Sequence, residues 1–247
     1  MKAMILAAGL GTRLKPWTLH HPKALVPVGG VPMLERVINS LKSQGFNEIV
    51  INVHHFGEQI IEFMAGNDLG INYEISDERE ALLDTGGGLL QAGEILVIKD
   101  DDTLLVHNVD ILSNADLKGL MEFHGMSGND ITLLTSGRDS TRKLIFDKTG
   151  RLKGWHNLST GEYKPKSFKG KDDDHEAAFS GIYIIGKKAM DALKEFSQGI
   201  GRSAFPVMDF FLSRCDELKI GERFDPELKL IDIGKPASLK QADLLFK

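Results

Sequence analysis

The start of the chain constrains it most: residues 2–7 read as a buried strand that runs straight into Ala8-Gly9-Leu10-Gly11-Thr12-Arg13. Glycines at 9 and 11 allow backbone N–H groups to turn toward an anion, and Arg13 adds a fixed positive charge. Pro22-Lys23 places a second cation in the same segment, as expected where several phosphate charges are neutralised together. The spacing also excludes two familiar phosphate sites. Gly9-x-Gly11-x-x-Leu14 lacks the third glycine of a dinucleotide fingerprint, and no G-x-x-x-x-G-K-[S/T] loop occurs in the chain.

Strand and helix signals then alternate, which implies a mostly parallel sheet. Residues 32–44 carry Met33, Leu34, Val37, Ile38 and Leu41 at helical spacing, with Pro32 in the first turn and Gly45 as the stop. A strand over 48–53, a helix over 58–65 and a strand over 71–76 follow. Thr85-Gly86-Gly87-Gly88 reads as a second glycine loop opening a helix that ends near Leu96. The apolar run 103–106 leads into His107-Asn108-Val109-Asp110, so the acid falls at a strand's C-terminal end, the side on which ligands collect in open parallel sheets.

Beyond residue 130 the pattern becomes α+β. A strand over 131–135 precedes a hairpin, 143–146 with 151–155, around Asp147-Lys148-Thr149-Gly150. Residues 156–175 are polar, without a periodic apolar face, and are expected to form a mobile surface insertion. A strand over 179–185, helices over 187–196 and 206–214, a strand over 229–232 and a terminal helix complete the chain.

At 247 residues with a net charge of −5, the length suits one large α/β domain or two small ones. The acidic balance argues against a protein that coats nucleic-acid phosphates, so any phosphate site is local. No apolar run approaches the ~18 residues of a membrane span, and no signal-like segment opens the chain, so a cytoplasmic protein is expected. The single cysteine, Cys215, has no partner for an internal disulfide and reads as packing.

Leu6-Ala7-Ala8-Gly9-Leu10-Gly11-Thr12-Arg13-Leu14 followed by Pro22-Lys23-Ala24-Leu25 resembles the signature of the sugar-phosphate nucleotidyltransferases. Asp84-Thr85-Gly86-Gly87-Gly88, Asn108-Val109-Asp110, Phe179-Ser180-Gly181 and Ile231-Asp232-Ile233-Gly234 extend the resemblance, in order, along nearly the whole chain. It implies a single α/β catalytic domain over 1–247, with a three-layer, Rossmann-like, mostly parallel mixed sheet. Residues 1–130 would mainly bind nucleotide and 131–247 mainly sugar, without a C-terminal hexapeptide-repeat domain. The substrates implied are a nucleoside triphosphate and a sugar 1-phosphate, with no nucleic-acid or membrane partner, in a monomer or homodimer.

By the same resemblance, Asp110 and Asp232 would hold Mg²⁺, and Arg13 and Lys23 would act with Asp110 in catalysis. Leu6, Ala7, Ala8, Gly9, Gly11, Thr12, Asp84, Gly86, Gly87, Gly88 and Asn108 would surround the nucleotide, the glycines letting a flat base lie against main chain. Asn157, Ser180, Gly181 and Arg142 would meet the sugar phosphate. Two departures stand out: Val109 replaces the glycine that many members carry before the metal-binding acid, and no lysine lies at 154–157, where relatives place a cation. Arg138, Arg142 or Lys143 would substitute. The run Leu83 to Gly88 most resembles the N-acetylmuramate 1-phosphate uridylyltransferases and points to UTP. Mannose or heptose 1-phosphate guanylyltransferases, a phosphocholine-type cytidylyltransferase and a non-catalytic nucleotide-sugar sensor are the alternatives.

Overall fold

In a computed structural model the described residues are 1–96, 98–99, 102–168, 170–234 and 236–245. The chain runs β1 (Lys2–Leu6), a loop of three short 3-10 turns, β2 (Pro27–Val28), β3 (Val31–Pro32), α1 (Met33–Ser43), β4 (Glu48–Val53), α2 (Gly57–Gly66), β5 (Asn72–Asp77), α3 (Asp84–Ile95), β6 (Thr103–Asn108), β7 (Ile111–Ser113) and α4 (Leu117–Ser127). It continues through β8 (Ile131–Ser136), β9 (Arg142–Phe146), β10 (Leu152–Asn157), β11 (Glu162–Lys164), β12 (His175–Gly186), α5 (Lys187–Ile200), α6 (Val207–Arg214), β13 (Ile220–Phe224), β14 (Leu230–Asp232) and α7 (Pro236–Leu245).

The central sheet is mixed. Strands β6, β1, β4 and β5 lie parallel, as the strand and helix alternation of the first half requires. β12 pairs antiparallel with β6, β8 and β9, β13 lies parallel to β8, and β9, β10 and β11 extend the edge as a meander. Helices cover both faces. Leu34, Val37, Ile38 and Leu41 of α1 join Ile60 and Met64 of α2 and Leu117 and Leu120 of α4 on one side. On the other, Leu89 of α3, Leu193 of α5 and Phe210 and Phe211 of α6 pack against Met4, Val50, Leu104 and Val106. Each fully buried Leu, Ile, Val or Phe contributes roughly 1.5–3 kcal/mol relative to exposure, so this three-layer arrangement is what the apolar periodicities specify.

Several elements differ from the sequence reading. Pro32 is the N-cap of α1 rather than a first-turn residue, while Gly45, at φ 89°, stops the helix as expected. Residues 84–88 are not a loop but the first turns of α3. Helix α4 had no assignment from the sequence; Asp116 caps it by accepting from Gly119 N at 2.8 Å. Strand β13 was also missed, because its register against β8 is a long-range pairing with no local signal. Within the polar stretch 156–175 the chain forms β11, where Tyr163 stacks on His156 at 4.0 Å between ring centroids. Cys215 is half-buried and its thiol is pushed up by desolvation.

Candidate active site

β1 and β6 end side by side, Val109 N donating to Leu6 O at 3.1 Å, and the loop after β1 opens above them. Gly11 takes φ 61°, and a Cβ there would stand 2.8 Å from Thr18 Cγ2, so the tight turn needs glycine. The 3-10 turn Thr12–Leu14 carries an exposed Arg13, and the turn Lys23–Leu25 brings Lys23 under the same loop. A cavity of ≈ 210 Å³ lies against Leu6, Ala7, Ala8 and Gly9 on one wall and Leu82, Asp84 and Thr85 on the other, with Asn108, Asp110 and Lys23 at one end. Thr12 is exposed on the adjoining turn.

The amides of Ala7 and Ala8 are already engaged: both donate to Asn52 Oδ1, at 2.7 and 3.3 Å. Asn52 was not singled out in the sequence, although a lone amide inside the apolar strand 49–53 is a signal, because a buried polar group must find partners.

The glycines of α3 turn the side that lacks a Cβ toward protein. At Gly86 a Cβ would run into the Phe205 ring and at Gly87 into the Ser203 carbonyl, and at Gly88 it would stand 2.6 Å from Glu78 Oε1. They permit close packing of α3 on residues 203–205 and on the strand below it. Gly86, Gly87 and Gly88, expected beside a base, do not line the adjoining cavity, where Asp84 and Thr85 do. Asp84, at φ 58°, remains on the cavity wall.

Two acids distant in sequence meet beside Lys23. β14 pairs antiparallel with β7, setting Asp232 opposite Ile111, and Ile233 N donates to Asp110 O at 2.8 Å. A small apolar cluster of Leu14, Val26, Leu112, Ile233 and Ala242 holds the C-terminal segment there. Lys23 forms an ion pair with Asp110, both side chains largely buried. Desolvation pushes the Asp232 carboxyl up, Asp110's negative charge adds to it, and Lys23, Arg13 and Arg138 oppose both. Two carboxylates suit a hard divalent cation that takes its remaining ligands from phosphate and water. Among the described residues no group of three or more His, Cys, Asp or Glu offers an all-protein cage.

A second cavity, ≈ 1110 Å³, is lined by Arg13 and Asp232, and Asp232 interacts electrostatically with Asp110 and Lys23 of the first. Arg138, Arg142, Lys143 and Lys164 line it. Arg138 donates through Nη2 to Phe179 O at 2.9 Å, while its buried Nε has no partner. Lys143 donates to Arg138 O at 2.7 Å, and Lys164, delivered by β11, sits 5.4 Å from the centroid of the Trp155 ring. Lys164 was missed because only the β10–β11 pairing brings residue 164 back to Trp155.

Of the other residues expected on the sugar side, Ser180, Asn157 and Gly181 make contacts within the fold and Arg142 lines the cavity. Ser180 is buried and donates to Leu134 O at 2.7 Å, and Asn157 Oδ1 accepts from Ser159 N at 3.1 Å within its own turn. Gly181, at φ 80°, makes room for Asn108, whose Nδ2 lies 2.7 Å from where a Cβ would stand. Arg142 lines the cavity and is exposed.

A mannose-1-phosphate guanyltransferase of Gibberella zeae is 31% identical over 252 residues, covering 100% of this chain and 64% of its own. A probable mannose-1-phosphate guanylyltransferase of Oryza sativa is 31% identical over 212 residues, covering 83% of this chain and 55% of its own, so the chain spans little more than half to two thirds of such relatives. HddC from Yersinia pseudotuberculosis, solved with GMP-PN, shares the fold at a TM-score of 0.75 and 23% identity, covering 100% of this chain and 99% of its own. The model of the nucleotidyl transferase family matches residues 2–246, and the protein is a member of that family.

Proposed function

We propose that the protein transfers a nucleotidyl group from a nucleoside triphosphate to a sugar 1-phosphate, releasing pyrophosphate, with GTP as the first nucleotide to test. The observation that carries the reading is the convergence of Arg13, Lys23, Asp110 and Asp232 where an apolar cavity meets a larger basic one. The smaller cavity fits a nucleoside with its phosphates toward Lys23 and Asp110. The larger one, with Arg138 and Lys164, fits a phosphorylated sugar. Guanine is favoured by the names of the similar enzymes. The glycine run that pointed to UTP is occupied by helix packing, which weakens the argument for uridine.

The sugar phosphate itself is the nucleophile, since a phosphate monoester with a second pKa near ~6 is largely dianionic at neutral pH. No protein nucleophile or general base is required. Arg13 and Lys23 offset the charge of the reacting phosphates, and Arg138 and Lys164 hold the incoming anion in line, so positioning and charge neutralisation carry the rate. Asp110 and Asp232 would hold Mg²⁺, which when bound neutralises phosphate charge. The reaction consumes a nucleoside triphosphate and belongs to the cytoplasm.

The test is pyrophosphate release with Mg²⁺ across GTP, UTP, CTP, TTP and ATP, each against mannose, heptose and N-acetylmuramate 1-phosphates and phosphocholine, with Asp110→Ala as control. GTP-dependent release with a sugar phosphate, lost in the control, is expected. Release with UTP and N-acetylmuramate 1-phosphate moves the base to uracil. Turnover with phosphocholine alone makes it a cytidylyltransferase-like enzyme, and silence despite nucleotide binding makes it a sensor.

A further inference from the structure

One buried pair of side chains joins the two walls of the nucleotide cavity. Asn52, on β4, and Glu78, just after β5, are each 2% exposed. Asn52 Oδ1 accepts from the amides of Ala7 and Ala8, which fixes that end of the side chain as oxygen. Its Nδ2 donates to Glu78 Oε1 at 2.7 Å, and Glu78 Oε2 accepts from Leu83 N at 3.0 Å. Leu83 immediately precedes Asp84, so the chain of hydrogen bonds runs from the loop after β1 to the start of α3.

The surroundings are built around this pair. Gly88 leaves the space it fills, since a Cβ there would stand 2.6 Å from Glu78 Oε1 and 2.9 Å from Asn52 Nδ2. His54 Nδ1 bonds the Glu78 carbonyl at 2.7 Å, holding the residue from the other side. Burial pushes the Glu78 carboxyl up, while the Asn52 amide and the Leu83 N–H favour its charged form. A purely apolar pair would fill the same space, but it would leave the Ala7, Ala8 and Leu83 donors without partners.

We propose that Asn52 and Glu78 are positioning residues for the nucleotide: they set the separation of the Ala7–Gly9 and Leu83–Thr85 walls, and through it affinity for the nucleoside triphosphate. This rests on the assignment of the smaller cavity to the nucleotide. The polarity of the relay makes it testable. In Asn52→Asp an acceptor faces the Glu78 carboxylate, and in Glu78→Gln one donor faces another. In the double variant N52D/E78Q every bond is restored and only the one between the two side chains reverses: the amide introduced at position 78 donates to the carboxylate introduced at position 52, which still accepts from Ala7 N and Ala8 N, and the amide oxygen at 78 accepts from Leu83 N.

The measurement is the Kd of nucleoside triphosphate by titration calorimetry, with KM for both substrates and thermal melts of every variant. N52D is expected to weaken nucleotide binding at least ten-fold, E78Q by about three-fold or more, and the double variant to return within about three-fold of wild type. KM for the sugar phosphate stays unchanged throughout. A folded N52D with wild-type Kd, or a double variant as weak as N52D or unable to fold, overturns the relay. A merely structural pair would shift the melts and leave nucleotide Kd in place. Turnover tests the activity and Kd tests the relay, so a wild type that binds nucleotide without turnover sinks only the former.

Discussion

The two cavities are built by opposite means. The smaller is lined by a loop and a helix start that follow parallel strands, held by the tight turn at Gly11 and the Asn52–Glu78 relay. The larger is lined by residues that antiparallel strands bring together: Arg138 after β8, Arg142 on β9, Trp155 on β10 and Lys164 on β11. Main chain demands particular residues at consecutive positions. A side-chain wall demands only that charges arrive together, from whatever segments the sheet brings near.

The acids between the two walls should show the largest effect. Asp110→Ala and Asp232→Ala are each expected to lower kcat about a thousand-fold or more, roughly 4 kcal/mol of transition-state stabilisation. A loss below ten-fold in steady-state assays would remove that acid from the reaction centre. On the nucleotide wall, Gly87→Ala forces a methyl onto the Ser203 carbonyl and should cost about 3 kcal/mol in denaturant unfolding. If stability holds and only nucleotide KM rises, the glycine serves the ligand rather than the packing.

His107, buried on β6, tests the scaffold beneath both walls. Desolvation lowers its pKa from 6.5 to about 4, against the opposing hydrogen bond to the Asn108 carbonyl and the charge of Asp110. The unfolded chain therefore binds more protons between pH 6.5 and 4. The stabilising contribution is present above pH 6.5 and is lost as pH falls through that window, by about 3 kcal/mol at most. Unfolding of wild type minus His107→Gln should show this slope, and parallel curves would refute it.

On the sugar wall, Arg138→Leu and Lys164→Met should each raise KM for the sugar phosphate about ten- to fifty-fold while leaving nucleotide KM alone. Arg142→Ala, exposed and, unlike Lys164, seated over no aromatic ring among the described residues, should change it less than about two-fold. If Arg142 proves the stronger, the buried Nε of Arg138 is not the anchor and the wall has been read from the wrong end.

What was legible divides along the same line. The loop from Ala7 to Arg13, Lys23 and the position of Asp110 could be picked out as short runs, because backbone geometry and charge at a strand's end leave local traces, whereas the pairing of Asp110 with Asp232 came from the family resemblance. The glycines at 86–88 were legible as glycines but not as to purpose, since residues 203–205, which crowd them, are over a hundred positions away. Ser180 and Asn157 looked exposed to a ligand in sequence and are engaged by Leu134 and Ser159 in the fold. Lys164 lay inside a stretch whose polarity concealed a strand.

The sequence by itself determined the strand-to-loop entry and the alternation that makes the first half parallel, because periodicity, glycine dihedrals and charge act over a few residues. Only the tertiary structure decided which cations face the second cavity, which glycines serve packing, and that Asn52 and Glu78 link the loop after β1 to the start of α3. Those outcomes depend on strand pairing between distant segments and on which buried polar atoms remain for one another once the backbone has paired.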